Sequence, residues 1–174
     1  MKGGIGNASV RVGPWVVGAL VACNAVGDVI DPGTGQILAG ARTVDGQNLL
    51  DTQRAFLQGE RGNRPLPGTN TTIGVVATNA MLTKAQAKRL AMSAHDGLAR
   101  SIRPAHTTLD GDTLFALATG TETGLVDLML LAVMAAEATA LATVDAIRHA
   151  QGIQTISGYC PGAQDRPARV QMPK

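Results

Sequence analysis

The stretch that decides the fold is Asn70-Thr71-Thr72-Ile73-Gly74-Val75-Val76-Ala77, in which a polar junction runs directly into an apolar segment. A short, continuous apolar run of this kind predicts a buried strand over residues 73–78. The residues before it, about 42–69, are polar and rich in glycine, which is typical of an exposed surface loop. Thr71 is therefore expected at the mouth of a buried strand, immediately after an exposed loop.

A hydroxyl residue at such a junction suits a nucleophile that is released by cleavage of its own chain. The Thr71 hydroxyl would attack the carbonyl of Asn70, shift the chain onto oxygen as an ester, and become a new N-terminus after hydrolysis. That terminus would carry both nucleophile and base, because an α-amine with a pKa of about 7.7–8.0 accepts a proton near neutral pH. The alternative is a plain turn, since Asn and Thr before a strand are common in turns.

The composition indicates one globular domain with a core of small and aliphatic side chains. The chain has 174 residues, of which 45% are hydrophobic and 2% aromatic. This length provides room for a sizeable core, and the hydrophobic content excludes a disordered chain. Lys and Arg number 15 and Asp and Glu 13, giving a net charge of +2 with scattered basic residues. The sequence therefore lacks the basic cluster that a nucleic-acid partner requires.

The cysteines and the apolar segments predict a soluble protein in a reduced, cytoplasmic setting. Cys23 and Cys160 are far apart and form no metal-type pair. Residues 1–6 have no apolar core of the kind that a signal peptide needs. The longest apolar stretch, residues 128–136, is shorter than the roughly 20 residues that span a bilayer.

Hydrophobic periodicity predicts a mixture of strands and helices. A loose tail is expected after Gly152, where the composition turns to Gly, Pro, Gln and Arg. The predicted strands cover residues 8–12, 15–23, 36–38, 73–78 and 113–119, and the predicted helices cover residues 83–103 and 125–149, with one helical turn within 49–57.

Asp110 and Asp112 form the clearest pair of titratable residues. They are two positions apart, so on an extended segment their carboxylates share one face. Two carboxylates this close repel each other unless a cation lies between them, and a lysine or the α-ammonium of a freed Thr71 would supply it. Two alternatives remain, a simple Asp-Gly-Asp turn and a metal site shared with His106.

Asn24 and Lys2 are weaker candidates. Asn24 ends the apolar run 15–23, and its side-chain amide is able to donate to a developing oxyanion, although a turn residue is the alternative. The segment Lys2-Gly3-Gly4-Ile5-Gly6 suggests a phosphate-binding loop but lacks the required spacing and the following helix. No serine or cysteine is placed by sequence as a triad partner for the three histidines, His95, His106 and His149.

A set of short motifs occurs in a fixed order along most of the chain: Lys2-Gly3-Gly4-Ile5-Gly6, Val17-Gly18 through Asn24, Asn70-Thr71-Thr72-Ile73, Val76-Ala77-Thr78-Asn79, His106-Thr107 and Asp110-Gly111-Asp112-Thr113-Leu114-Phe115-Ala116. Together they resemble the self-processing amidohydrolase family. This family contains the 6-aminohexanoate-oligomer (nylon oligomer) hydrolases, the L-aminopeptidase/D-amidases and the β-peptidyl aminopeptidases. The resemblance runs from Met1 to about Ala150 and finds no clear counterpart after Gly152.

The resemblance implies a role for each candidate residue. Asn70–Thr71 matches the autocleavage bond and Thr71 the nucleophile of the family. Asp110 and Asp112 match the acidic pair that orients the nucleophilic end and assists proton transfer. Asn24 matches an asparagine near the oxyanion, and Lys2 matches a lysine beside the nucleophile.

The resemblance also implies a fold and a domain organisation. The family fold is an α/β architecture, a layered αββα sandwich, and its N-terminal part is expected to be missing from this chain. Residues 1–70 would be the C-terminal part of the large subunit, residues 71–151 the small subunit, and residues 152–174 a loose tail.

The activity implied by the resemblance is hydrolysis of amide bonds in short oligomers or peptides through an acyl-enzyme. No metal or organic cofactor, nucleic acid or membrane is implied, and the family works as oligomers of processed subunits. The aminopeptidase branch typically has serine at the cleavage position, so Thr71 with two aspartates favours 6-aminohexanoate oligomers as substrate. Two alternatives stay open: an aminopeptidase of the same family, and an inactive truncated remnant that serves as a structural or binding module.

Overall fold

The computed structural model describes residues 1–60, 70–156 and 158–165. The strands are β1 (Gly4–Val12), β2 (Trp15–Cys23), β3 (Asp28–Ile30), β4 (Ile37–Ala39), β5 (Ile73–Ala80), β6 (Ile102–Arg103), β7 (Thr113–Glu122), β8 (Ile153–Thr155) and β9 (Gly158–Cys160). The helices are α1 (Thr52–Leu57), α2 (Lys84–Ser101) and α3 (Leu128–Arg148), followed by a 3-10 turn at Ala163–Asp165.

The main sheet has the strand order β1-β2-β5-β7. β1 with β2 and β2 with β5 are antiparallel pairs, whereas β5 and β7 run parallel, with Ile73 opposite Thr113. Because the chain returns through α2 between these parallel strands, both begin at the same edge of the sheet. The residues just before Ile73 therefore lie beside those just before Thr113.

Two long helices cover one face of this sheet, and both begin at caps that the sequence supplies. Thr83 and Gln86 form a reciprocal capping box at the start of α2. The Asp127 side chain accepts hydrogen bonds from the backbone N–H groups of Met129 and Leu130 at the start of α3. These caps satisfy backbone donors that the first helical turn leaves without partners.

Small residues allow the layers to pack closely. A Cβ on Gly6 would lie 2.1 Å from the backbone nitrogen of Ala146, and one on Gly97 would lie 2.3 Å from the carbonyl oxygen of Ala136. Glycine at these positions therefore lets β1 and α2 approach α3 at backbone distance. This close approach shows how a chain with 2% aromatic residues builds a dense core, and it gives the glycines after Lys2 a packing role.

Within the described ranges, α3 is the one helix long and apolar enough to cross a membrane, with a mean hydropathy of 1.7. In the fold, 67% of that segment is buried. Leu131 and Met134 are 0% and 2% exposed, in the core against the sheet. α3 therefore has the burial of a core helix.

The opposite face of the main sheet is apolar as well, although it is exposed in this structure. Side chains on adjacent strands form rows on this face, because Leu20 pairs with Val75, and Val75 pairs with Phe115. Its large exposed members are Ile5, Leu20, Ile73, Phe115 and Leu117. The described residues thus supply an α layer and a β layer, which is half of an αββα sandwich.

The elements differ from the sequence expectations mainly at the two ends of the chain. β1 begins at Gly4 rather than at residue 8, because its glycines pack against α3. β8 and β9 pair as antiparallel strands, where a loose tail was expected, and Lys2 donates from its backbone nitrogen to Pro161 O. Residues 61–69, the second part of the expected surface loop, and residues 166–174 lie outside the described ranges.

Candidate active site

The candidate site lies at the sheet edge where β5 and β7 begin. Asn70 and Asp110 form a parallel bridge just before the two strands, and the Thr113 N–H donates to Thr72 O at 2.9 Å. The parallel pairing therefore brings the Asn70–Thr71 junction against the Asp-Gly-Asp segment. These two segments are 40 positions apart in sequence, so only the crossover through α2 joins them.

Three hydrogen bonds fix the Asn70–Thr71 junction. Its hydroxyl donates to the carbonyl oxygen of Asn70 at 2.6 Å. The Gly111 N–H donates to the same oxygen at 3.1 Å, and the Thr71 N–H donates to Asn24 O at 2.9 Å. The nucleophile, the bond it would attack and a donor for the resulting oxyanion are therefore adjacent.

Gly111 leaves no room for a side chain at this point. A Cβ on Gly111 would lie 2.8 Å from the Thr71 Oγ1. Glycine therefore allows the Gly111 N–H and the Thr71 hydroxyl to donate to the same oxygen, that of the Asn70 carbonyl. The steric requirement for glycine at position 111 therefore comes from its contact with Thr71 as well as from a turn.

The side chain of Asp112 is buried directly behind the candidate nucleophile, Thr71. Its side chain is 3% exposed, and its Oδ1 accepts a hydrogen bond from the Thr72 N–H at 2.9 Å. Its Oδ2 is 3.2 Å from His106 Nδ1, although this contact is not aligned as a hydrogen bond. Asp112 therefore fixes the residue next to Thr71 through one oxygen and faces an imidazole through the other.

Asp110 makes a different set of contacts. Its Oδ1 accepts from the Val26 N–H at 3.1 Å. Its Oδ2 accepts from the Thr107 N–H at 3.1 Å and from the Thr107 hydroxyl at 2.7 Å. Asp110 therefore ties the loop after β2, which carries Asn24, to the loop before β7.

Asn24 and Lys2 line a pocket of about 250 Å³ that opens beside Asn70. Its other lining residues include Val26, Val29, Ala39 and Ile147. The Lys2 Nζ donates to Gly3 O at 3.3 Å. The structure thus places a cation, an amide and Asn70 on the lining of one pocket.

Two histidines lie next to this site. His106 faces Asp112, and the centroid of the His95 ring on α2 is 5.0 Å from that of His106. Burial lowers the pKa of His95, and His106 acts in the same direction, whereas Asp112 and Asp96 act against them. The sequence indicated His106 only as an alternative metal ligand and within the family-like motif His106-Thr107, and it gave no signal for His95.

The structure gives no support to a metal site or a cysteine nucleophile here. No group of three or more His, Cys, Asp or Glu side chains in the described part of the chain is arranged to hold a metal ion. Both carboxylate oxygens of Asp110 are engaged by Val26 and Thr107. Cys23 is 4% exposed, and burial raises the pKa of its thiol, which keeps it protonated.

Comparison with known proteins gives matches over most of the chain. Residues 1–160 match peptidase family S58. An uncharacterized aminopeptidase of Mycobacterium leprae is 44% identical, over 94% of this chain and 50% of that protein. A 6-aminohexanoate-oligomer endohydrolase of Paenarthrobacter ureafaciens is 35% identical, over 67% of this chain and 33% of that protein. The chain spans half or less of the length of these relatives.

Solved structures share the fold. A Burkholderia sp. beta-aminopeptidase superposes with a TM-score of 0.61 at 28% identity, covering 93% of this chain and 46% of that one. The l-aminopeptidase d-ala-esterase/amidase from Ochrobactrum anthropi, described as a variant of the Ntn hydrolase fold, gives a TM-score of 0.58 at 22% identity, covering 92% and 45%. The half sandwich described above is therefore of the Ntn hydrolase type.

Proposed function

Because this chain belongs to peptidase family S58, we propose that it is part of a self-processing amide hydrolase whose nucleophile is Thr71. The observation that carries this proposal is the meeting of two hydrogen-bond donors at one carbonyl oxygen. The Thr71 hydroxyl and the Gly111 N–H both donate to Asn70 O, at 2.6 and 3.1 Å. Cleavage at Asn70–Thr71 would give a segment ending at residue 70 and a small subunit that begins at Thr71 and includes residues 71–151.

Processing would proceed as an N-to-O acyl shift. The Thr71 oxygen attacks the carbonyl carbon of Asn70, and the Gly111 N–H stabilises the negative charge on the carbonyl oxygen. The C–N bond breaks, and the Thr71 nitrogen leaves as an amine that takes up the hydroxyl proton. Water then hydrolyses the ester between Asn70 and Thr71 and frees the hydroxyl together with the new α-amine.

The freed terminus would then act on substrate amides. The α-amine accepts the proton of the Thr71 hydroxyl, which attacks the substrate carbonyl, and an acyl-enzyme forms and is hydrolysed by water. Asn24 would donate to the oxyanion, and Lys2 would lie beside the nucleophile, since both line the pocket next to Asn70. No metal or organic cofactor takes part in these steps.

The two aspartates would have separate roles. Asp112 orients Thr71 through the Thr72 N–H, whereas Asp110 holds the loop after β2 through Val26. Asp112→Asn keeps an oxygen for Thr72 while it removes the charge, so we expect a folded protein that processes about 10²–10⁴-fold more slowly. Both oxygens of Asp110 accept hydrogen bonds, and Asp110→Asn replaces one of them with an NH₂ group that cannot accept. We therefore expect this substitution to lower the free energy of unfolding by about 1–3 kcal/mol.

For the substrate, two classes follow from different observations. Thr71 with two aspartates supports linear 6-aminohexanoate oligomers, whose amides are flanked by methylene chains. The higher identity with a protein named as an aminopeptidase, 44% against 35%, supports short α-peptides as the second candidate.

Amine release from the 6-aminohexanoate dimer and from an alanine dipeptide separates these classes, with Thr71→Ala as the control. Faster hydrolysis of the first substrate supports the oligomer hydrolase, and faster hydrolysis of the second assigns the chain to the aminopeptidases. If a chain that has split at Thr71 hydrolyses neither substrate, the hydrolase proposal is wrong for this chain and the remnant interpretation is favoured.

A further inference from the structure

Behind the candidate nucleophile, polar groups from three parts of the fold form a continuous array. The Thr72 N–H donates to Asp112 Oδ1 at 2.9 Å, and Asp112 Oδ2 lies 3.2 Å from His106 Nδ1. The His106 ring in turn contacts His95 of α2, with 5.0 Å between ring centroids and an interplanar angle of 56°. The array therefore connects the residue after Thr71 to the middle of a core helix.

The second oxygen of Asp112 needs a partner that only His106 supplies among the described residues. This side chain is 3% exposed, and its Oδ2 receives no aligned hydrogen bond. A buried carboxylate is stable as an anion only when both oxygens are solvated or paired. In the tautomer that carries the proton on Nδ1, the imidazole presents a donor to Oδ2, because the two atoms are 3.2 Å apart.

The backbone of His106 has an unusual conformation. Its φ is +54°, and among the described non-glycine residues only Asp51 shares a positive φ. Left-handed backbone at a residue other than glycine is maintained when surrounding contacts fix it, and it is concentrated at functional sites. The backbone conformation and the 3.2 Å contact with Asp112 are independent observations that point to the same residue.

The neighbouring charges favour a defined arrangement of the two rings. Burial and the proximity of His106 lower the pKa of His95, against the opposing influence of Asp112 and Asp96. The neutral form of His95 is therefore favoured. Its ring packs against His106, whose Nδ1 lies 3.2 Å from Asp112 Oδ2.

A second histidine–aspartate pair in the chain shows the difference between this array and a surface contact. His149 and Asp145 lie one turn apart on α3 with Nδ1 and Oδ1 2.9 Å apart, and their side chains are 70% and 29% exposed. Such a pair is solvated and contributes little to structure. It provides a matched control for the His106–Asp112 pair, whose side chains are 39% and 3% exposed.

We propose that His106 is a positioning residue, which holds the Asp112 carboxylate against the Thr72 N–H and thereby aligns the Thr71 hydroxyl with its target carbonyl. This inference rests on the proposed function of Thr71. His106 touches neither Thr71 nor the bond to be cleaved in this account, and it acts through Asp112 alone.

The test compares two substitutions that both tolerate the left-handed backbone. His106→Gly removes the imidazole, whereas His106→Asn retains a side-chain N–H donor. In the 174-residue chain, we expect His106→Gly to slow cleavage at Asn70–Thr71 by roughly tenfold to a hundredfold, because misplacement of a reacting group by 1 Å has effects of this size. His106→Asn and free imidazole added to His106→Gly should each restore part of the rate, and His149→Ala should match the wild type.

Two outcomes overturn the inference. One is a wild-type cleavage rate in His106→Gly. The other is a slow rate that neither asparagine nor free imidazole raises, because that pattern belongs to a general disturbance of the loop. Rescue by both, with no effect of His149→Ala, supports a positioning role.

The amide NMR signal of Thr72 separates this inference from the proposed function, since it is measurable whether or not the chain cleaves itself. If His106 holds Asp112, His106→Gly and Asp112→Asn both shift the Thr72 signal, and His149→Ala leaves it unchanged. A wild-type chain that never splits contradicts the self-processing proposal, and the Thr72 signal then decides the positioning claim alone. An unchanged Thr72 signal in His106→Gly overturns it.

Discussion

At the scale of single residues, the site depends on how closely backbone and side chains approach the Asn70 carbonyl. The Thr71 hydroxyl and the Gly111 N–H both donate to that oxygen, and nothing larger than glycine fits between them. The chemistry attributed to Thr71 therefore requires a specific neighbour as well as a hydroxyl. This requirement can be tested without touching the nucleophile.

We predict that Gly111→Ala slows cleavage at Asn70–Thr71 by at least about tenfold, since small displacements of a reacting group have effects of this size. The added Cβ would lie 2.8 Å from Thr71 Oγ1 and would push the hydroxyl away from the Asn70 carbonyl. Gly18→Ala is the matched control, because its added Cβ meets only Ala8 O at 3.8 Å. Intact-mass time courses of both variants measure the effect, and equal rates in the two would show that the contact does not matter.

Motifs made Thr71, Asp110, Asp112 and Asn24 candidates, whereas their mutual contacts required the fold. Asp110 and Asp112 were expected to share one face, yet they bind different loops through Val26 and Thr72. The pairing of His106 with His95 was not predicted, because they lie 11 positions apart on different elements. Their proximity arises only when α2 packs beside the loop before β7.

At the scale of elements, the long periodic segments were predicted, whereas of the short ones β4 and α1 were predicted and β3, β6, β8 and β9 were not. β2 was predicted at its observed bounds, and α2 and α3 were predicted within three residues at each end. These long segments bury continuous apolar faces, so their patterns are strong. β8 and β9 are three residues each and largely exposed, so they bury no apolar face that a pattern would show.

Asp28 shows how the polar contacts of a short strand hold a neighbouring loop in place. It lies in β3, is 1% exposed, and accepts hydrogen bonds from the Thr52 hydroxyl at 2.7 Å and from the Ala41 N–H at 3.1 Å. It therefore anchors the loop before α1 to the small sheet. Burial raises the pKa of its carboxyl, with Asp51 acting in the same direction and the hydrogen bonds against it.

We predict that Asp28→Ala lowers the free energy of unfolding by about 1–3 kcal/mol, because Thr52 and Ala41 lose a buried acceptor. Denaturant titration at pH 7 measures this change. A loss within the range of neutral surface substitutions, about 0.5 kcal/mol, would contradict the anchoring role.

The pH dependence of Asp28 is compared best with Asp28→Asn, which does not titrate. A raised folded pKa means that the folded state binds the proton more tightly, so the contribution of Asp28 is largest below its unfolded value of 3.8 and is lost as pH rises through the folded value. The wild type should therefore gain stability relative to Asp28→Asn as the pH falls from 7 toward 4. A constant difference between the two proteins over this range would refute the raised pKa.

At the scale of the whole molecule, the main sheet carries apolar side chains on both faces. One face packs against α2 and α3, whereas Phe115 and Leu117 on the other face are 60% and 52% exposed. Sheets with two apolar faces occur as inner layers covered on both sides. This is the arrangement of an αββα sandwich, of which the described residues form one α layer and one β layer.

We predict that the exposed sheet face makes the 174-residue chain self-associate and bind hydrophobic dyes. Phe115→Thr with Leu117→Thr should reduce both, as measured by sedimentation velocity and dye fluorescence, with a change in unfolding free energy of about 0.5 kcal/mol or less. Leu114→Ala on the buried face of the same strand should instead cost about 2–5 kcal/mol. Unchanged self-association in the double variant would mean that the chain associates through another surface.

The central claim is that the folded chain cleaves itself before Thr71, and intact-mass spectrometry of the purified protein tests it most directly. The account predicts two masses whose sum corresponds to the full chain plus water, with the second piece beginning at Thr71. Thr71→Ala should give one uncut mass, and Thr71→Ser, which retains a hydroxyl, should still be cut. A single uncut mass for the folded wild-type chain, equal to that of Thr71→Ala, would contradict the account.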